Sequence, residues 1–269
     1  MQTIFFYEVK PILLYNKKMA KYIKIFSFLI ILIFGCFSLN AQTDSILLEQ
    51  AYKKKSVKML DQFFMNWRKA VPTVTNEELS QMNDTIRSAY KVFECYYNKH
   101  NKYKNVKYLI IQNKLFIHVS DENDIEKMKD EDFFYWEIKY DSITNFRPRI
   151  NIKNRIPVYL TSYYEKILNV FLGDIYSPLG TGGIMNPARP EGESKERRRF
   201  LEDKIKIEYG HWGGYWHLNS FPEINIIIFN KDMKSALIYF RYGYRGGESY
   251  LIKKNANWKI VDSKFTWIE

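Results

Sequence analysis

The sequence predicts an α+β protein, in which N-terminal amphipathic helices pack on a curved antiparallel sheet that ends in a four-strand meander. Two observations predict this class. Leu60, Phe63, Phe64 and Trp67 recur at the spacing of one helix face. Residues 223–269 contain four runs rich in Ile, Val, Tyr, Phe and Trp, and short turn signals separate these runs. Amphipathic helices cannot bury their apolar stripes alone, so helices and sheet require each other.

The N-terminal half predicts two long helices. Asp44 or Ser45 is placed to cap a first helix that ends near Ala70. A capping box at Thr75–Glu78, in which the hydroxyl and the carboxylate each satisfy a free amide, opens a second helix. The apolar stripe of this second helix continues to Tyr96.

The middle of the chain predicts a hairpin and two further extended segments. Residues 106–111 and 115–119 are apolar runs that flank the turn signal Gln112-Asn113-Lys114. Extended segments are expected at residues 133–140 and 150–160.

A third helix and a basic helix follow. Ser162–Glu165 matches a capping box, and Gly173 is a suitable C-cap for the helix that it opens. Residues 177–193 are rich in Gly and Pro, which predicts a long surface loop. The basic helix after this loop is expected to expose Arg197–Arg199 to solvent.

The meander is defined by its turns and by alternation within its strands. Turn signals lie at residues 230–232, 243, 246–247 and 254–257. Alternation places two sets of side chains on opposite faces of the second strand, namely Ala236, Ile238 and Phe240 on one face and Leu237, Tyr239 and Arg241 on the other. Trp258 shares a face with Ile260 in the last strand and is therefore predicted to lie in the core.

The pattern Gly-Gly-x-x-x-Leu-x-Lys-x-x-x-x-Trp-Lys-Ile-Val, from Gly246 to Val261, resembles the C-terminal meander of the nuclear transport factor 2-like superfamily. The resemblance implies a strongly curved antiparallel sheet wrapped around N-terminal helices, with an open pocket. It also implies that polar groups on the concave face of the meander line this pocket, with Arg241, Arg245 and Glu248 as the candidates here.

The N-terminal residues predict that the chain is exported. Lys21 and Lys24 precede an apolar run too short for a comfortable membrane span, and Ala41-Gln42 follows as a cleavage site. Residues 1–18 are interpreted as an extension from an upstream start, 19–41 as a signal peptide, and 42–269 as an exported domain with an alternative sub-boundary near residues 150–160. The rival interpretation is lipidation at Cys36, which would anchor the protein to a membrane. The expected location is periplasmic, outer-membrane-associated or extracellular in a Gram-negative bacterium.

Aromatic and histidine residues crowd a Gly-Gly turn. The candidate contacts are His211, Trp212, Tyr215, Trp216 and His217. A turn at Gly213-Gly214 would oppose Trp212 with Tyr215 and His211 with Trp216. Two histidines without a nearby third ligand make a poor metal site, so no metal is expected. The rings either pack across the strands or stack on a sugar or a protein partner.

No motif in the sequence specifies one activity. The net charge of +11 includes +4 in residues 1–41, and the remainder is spread out, so nucleic acid is not an expected partner. The leading interpretation is an exported, non-catalytic protein that binds a small molecule or a protein in a sheet pocket, without a cofactor. The alternatives are a pocket enzyme, such as a hydrolase, and glycan binding through the turn at residues 211–217. Membrane contact is expected only through the signal peptide or a lipid anchor.

Overall fold

Helices occupy the N-terminal part of the described chain, and a sheet occupies most of its C-terminal part. The computed structural model describes residues 43–100, 106–123, 125, 139–173, 191–209 and 216–268. The fold class is α+β, as the sequence predicts. The chain divides into two units, Met1–Ile46 and Leu47–Glu269. The cleavage site at Ala41-Gln42, Cys36, and most of the segments at 133–140 and 177–193 lie outside the described residues.

The described helices and strands have the following bounds. The helices are α1 (residues 43–53), α2 (Val57–Ala70), α3 (Asn76–Gln81), α4 (Asp84–His100), α5 (Ser162–Leu172) and α6 (Glu191–Glu202). The strands are β1 (Tyr108–Gln112), β2 (Lys114–Val119), β3 (Asp141–Thr144), β4 (Ile156–Leu160), β5 (Glu208–Tyr209), β6 (Trp216–His217), β7 (Glu223–Phe229), β8 (Ser235–Tyr242), β9 (Arg245–Lys254) and β10 (Asn257–Ile268).

The two predicted long helices are each interrupted once. The first breaks after residue 53, and Ser56 caps the new helix by accepting a hydrogen bond from the Met59 amide at 3.3 Å. The capping box at Thr75–Glu78 is confirmed, with bonds of 2.7 and 3.1 Å. That helix ends at Gln81, however, and Asn83 Oδ1 accepts from the Ile86 amide at 2.8 Å to start α4. In both cases a side chain that satisfies free amides starts a new helix within the apolar stripe.

The cap of α5 differs from the prediction by one residue. Thr161, rather than Ser162, is the N-cap and accepts from the Tyr164 amide. Gly173 ends the helix with φ of 92°, which confirms its predicted role, since only glycine adopts this conformation without strain.

Strand β1 does not form the predicted hairpin with β2. It pairs in parallel with β4, and β2 pairs with β3 and β7. One residue, Asn113, separates β1 from β2, and this is too short for a hairpin loop. The side chains of β1 alternate between two cores: Tyr108 and Ile110 face a cluster with α2 and α5, while Leu109 and Ile111 face a cluster with α4. Burial on both faces favours a parallel ribbon between two layers.

The main sheet has six strands in the order β10-β9-β8-β7-β2-β3. Strands β7 to β10 form the predicted antiparallel meander. The parallel pairing of β2 with β7 makes the sheet mixed, so the prediction of a wholly antiparallel sheet is wrong in this detail. Among the predicted turn glycines, Gly243 lies in the turn with φ of +60°, whereas Gly246 and Gly247 lie inside β9.

The two faces of the meander have different surroundings. Ile238 and Phe240 pack with α4 in the larger core, as does Trp258, which is 6% exposed. Leu237 lies on the opposite face in a small cluster with Ile226. The predicted alternation in β8 and the core position of Trp258 are therefore confirmed.

The basic helix α6 is anchored by one of its three arginines. Arg197 is 3% exposed and lies between α1, α5 and α6, which contradicts the prediction of a solvated Arg197–Arg199 face. Arg199 is exposed as predicted. None of the helices in the described ranges is both long and apolar enough to cross a membrane.

Candidate functional site

A row of residues crosses the meander on the face opposite α4. Glu223 on β7 is the register partner of Arg241 on β8. Arg241 is in turn paired with Gly246 on β9, and Gly246 is paired with Trp267 on β10. Register partners in a sheet point to the same face. Arg241 alternates with the core residue Phe240, so the row faces away from α4.

The indole of Trp267 lies directly on the backbone of Gly246. A Cβ atom at Gly246 would lie 2.2 Å from Cζ2 of Trp267, so glycine alone leaves room for the ring. The Arg241 guanidinium carbon lies 5.8 Å from the centre of the indole. Trp267 is nevertheless 39% exposed. The row therefore presents a supported aromatic ring with a face or edge in contact with solvent.

Two half-buried carboxyl groups approach Arg241. Glu223 lies opposite it in the sheet. Glu208 on β5 reaches the turn after β8, where a Cβ atom at Gly243 would lie 2.0 Å from Glu208 Oε1. Arg241 Nε donates to the carbonyl oxygen of this same Gly243. The two acids thus come from separate parts of the chain and lie near a single guanidinium.

The environment raises the pKa of both acids. Burial raises the pKa of Glu223, the charge of Arg241 opposes this increase, and the charge of Glu208 adds to it. Burial also raises the pKa of Glu208, against the opposing charges of Lys206 and Arg241. Each carboxyl therefore holds its proton to a higher pH than usual, which is a frequent property of functional sites.

His217 on β6 lies next to one of these acids. It is the register partner of Glu208 in the β5–β6 ribbon, and it is exposed. The Cβ atoms of such partners lie about 4.5–5.5 Å apart, so both side chains start from neighbouring positions on one face of the ribbon. The pairing of Trp216 with Tyr209 contradicts the predicted pairing of Trp216 with His211. His211, Trp212 and Tyr215 lie outside the described residues.

A second charged row lies beside the first on the same face. Glu248 is the register partner of Tyr239 and of Lys264, and it is 4% exposed. Its Oε1 lies 3.2 Å from Lys264 Nζ, so the buried carboxylate has a cationic partner. Burial raises the pKa of Tyr239, and the charge of Glu248 raises it further. This row extends the polar surface towards the middle of the meander.

Arg245 does not join the other predicted pocket residues. Its guanidinium carbon lies 4.8 Å from the ring centre of Phe265, which itself packs against Phe240 on the α4 side of the sheet. Arg241 and Glu248 share one face and Arg245 lies on the other.

Four residues of this surface were not anticipated from the sequence: Glu208, Glu223, Lys264 and Trp267. Counting back from the turn at residues 230–232 would have placed Glu223 opposite Tyr242, and the bulge between Ile224 and Ile226 shifts it opposite Arg241 instead. No local signal connects Glu208 to Gly243, because these residues meet only through the tertiary fold. We refer to Glu208, Glu223, Arg241 and Trp267 as the Arg241 cluster.

The Arg241 cluster combines three kinds of contact. Its carboxyl groups accept hydrogen bonds, and donate them when protonated; the guanidinium donates; and the indole offers an apolar face. Within the ranges described, no group of three His, Cys, Asp or Glu side chains is arranged to hold a metal ion. Such a surface suits recognition of an organic ligand with several hydrogen-bonding groups.

No family model, curated protein or solved structure matches this chain.

Proposed function

We propose that this chain is an exported, non-catalytic protein that binds a small molecule at the Arg241 cluster. The observation that carries the proposal is the placement of Glu208 and Glu223, both half-buried and with raised pKa values, around Arg241 and beside the exposed Trp267. Partly removing charged groups from water costs free energy, and acids with raised pKa values beside a charged partner are concentrated at functional sites.

Export is part of the same proposal and rests on the sequence alone. The basic start, the short apolar run and the Ala41-Gln42 site support delivery to the periplasm or beyond, with Cys36 as the alternative lipid attachment site. We also propose membership of the nuclear transport factor 2-like superfamily. The pattern from Gly246 to Val261 and the antiparallel meander with helix α4 on one face support this membership.

A second candidate function is acid–base catalysis, favoured by one specific observation. His217 is the register partner of Glu208, whose pKa burial raises, and histidine and carboxyl side chains are common general acids and bases in enzymes. Chromogenic p-nitrophenyl esters and glycosides test this candidate. Turnover by the purified protein that Glu208→Gln abolishes would favour the enzyme, whereas absence of turnover leaves the binding proposal in place.

The binding proposal is tested with a matched pair of arginine variants. Arg241→Met removes the centre of the cluster, and Arg245→Met removes the same side-chain type from the opposite face of the neighbouring strand. A thermal-shift screen against sugars, amino acids, organic acids and nucleotides should find compounds that raise the Tm of the wild type and of Arg245→Met, but not that of Arg241→Met. If no compound shifts the wild type, or if every shift survives in Arg241→Met, the proposal is wrong.

A further inference from the structure

We propose that the ligand of the Arg241 cluster is a saccharide, with one sugar ring stacked on Trp267. This inference rests on the proposed function, because it identifies the class of molecule that the same surface binds. It draws on three properties of the cluster: the support of the indole, the balance of charge, and the length of the row.

The indole is held in place before any ligand arrives. Its ring rests on Gly246, where a Cβ atom would meet Cζ2 at 2.2 Å, Cε2 at 2.3 Å and Nε1 at 2.7 Å. Because the backbone supports the ring, little conformational freedom is lost on binding. The apolar face of a sugar ring matches a supported aromatic ring of this kind, and the hydroxyl groups at the edge of the sugar remain free for polar contacts.

The charges of the surface balance, which disfavours a strongly charged ligand. Arg241 lies near both Glu208 and Glu223, Lys206 lies near Glu208, and Lys264 Nζ lies 3.2 Å from Glu248 Oε1. An anion would approach three carboxyl groups, and a cation would approach three basic groups, so both would meet repulsion. A neutral molecule with many hydroxyl groups meets donors and acceptors without this penalty.

The row is longer than one sugar ring. Neighbouring strands lie about 4.8 Å apart, so the three spacings from Trp267 on β10 to Glu223 on β7 cover about 14 Å. A ring stacked on Trp267 leaves Arg241, Glu223 and Glu208 for the next sugar along the row. The geometry therefore fits an oligosaccharide better than a monosaccharide.

Strand β10 also contains a matched control for Trp267. Phe265 is 43% exposed and Trp267 is 39% exposed, and the two lie two residues apart on β10. A bulge between them places Trp267 over Gly246 and Phe265 against Phe240, on opposite faces of the sheet. Truncating either ring removes a similarly exposed aromatic side chain from the edge strand. Only the truncation of Trp267 changes the Arg241 cluster.

The test is isothermal titration of the full chain at pH 7 with hexasaccharides of glucose, N-acetylglucosamine and xylose, and with the glycan strands of digested peptidoglycan. At least one of these probes should bind the wild type and Phe265→Ala equally. Trp267→Ala should weaken this binding by about 30-fold or more, the effect expected of an aromatic anchor. Trp267→Phe, which keeps a stacking ring, should retain most of the affinity.

Several outcomes would overturn the inference. It fails if none of the four probes binds the wild type, if Trp267→Ala binds as tightly as the wild type, or if Phe265→Ala loses affinity to the same extent. A ligand from the thermal-shift screen that depends on Arg241 but not on Trp267 would overturn the saccharide assignment and leave the proposed function standing. If saccharide binding depends on Trp267 but survives Arg241→Met, the Arg241 cluster is not the binding site and the proposed function is wrong.

Discussion

Arg197 provides the sharpest test of how the helices are held together. Its guanidinium contacts both carboxylate oxygens of Glu49 at 2.6 and 3.1 Å, Glu193 at 2.9 Å and the carbonyl oxygen of Phe171 at 3.3 Å. It also lies 4.5 Å from the ring centre of Tyr52 and 4.8 Å from that of Phe171. The perturbation is Arg197→Ala, which removes all of these contacts between α1, α5 and α6.

The expected loss follows from the burial of each partner. Removing one member of a buried ion pair costs about 3–5 kcal/mol, because the remaining charge stays buried. The side chains of Glu49 and Glu193 are 29% and 38% exposed, so water partly compensates both carboxylates. We therefore expect the lower end of that range, about 3 kcal/mol. For a unit of this size each 1 kcal/mol lowers Tm by about 2–4 °C, so Tm should fall by about 6–12 °C.

The measurement is thermal unfolding by circular dichroism, with urea unfolding as a second readout. Arg199→Ala is the matched control, because Arg199 lies on the same helix and is exposed, and its loss should change stability by about 0.5 kcal/mol or less. Adding Glu49→Ala to Arg197→Ala should cost little more, since the two residues share one interaction. A Tm for Arg197→Ala that equals that of Arg199→Ala would refute the inference that this buried arginine links the helices.

The remaining predictions concern the site, the core and the N-terminus. Burial raises the pKa of Glu223, so the folded state favours its protonated form; stability is greatest below the unfolded value of 4.5 and falls as pH rises through the folded pKa. Glu223→Gln should therefore melt higher than the wild type at pH 8 and equally at pH 4, and a lower Tm at pH 8 would contradict this. Trp258→Ala should cost about 3–5 kcal/mol, because the ring is buried in the core, and an unchanged Tm would place the ring elsewhere. Mass spectrometry of the protein purified from its native host should find Gln42 at the N-terminus. A retained Met1 or Met19 would rule out export, and a lipidated Cys36 would show that the protein is anchored to a membrane instead.

Local patterns predicted the meander because its strands are neighbours in the chain. The turn at residues 230–232 is confirmed by Asn230, whose Oδ1 accepts from the amides of Lys234 and Ser235 at 2.9 and 2.8 Å. Such a turn sets the register of the strands that it joins, and alternation then assigns each side chain to a face. The predicted burial of Trp258 followed from this reasoning and is confirmed.

Local patterns gave wrong helix boundaries where a single capping side chain interrupts a helix whose apolar stripe continues. The apolar stripe that includes Met82 and Ile86 continues without interruption in the sequence, yet Asn83 ends one helix and starts another. Gly246 and Gly247 were interpreted as turn residues because glycine is common in turns. Their actual role is to let Trp267 and the backbone of Lys264 approach β9 closely, which no pattern within β9 itself indicates.

Local patterns were enough to predict the fold class, the meander, the two faces of β8 and the core position of Trp258, since each depends on residues that are close in the chain. Three features emerged from the folded chain alone: β1 pairs with β4, Glu208 reaches Gly243, and Arg241 and Arg245 lie on opposite faces. The physical reason is that pairings between distant segments depend on how all apolar faces are buried together. That choice leaves no periodic signal in any one segment.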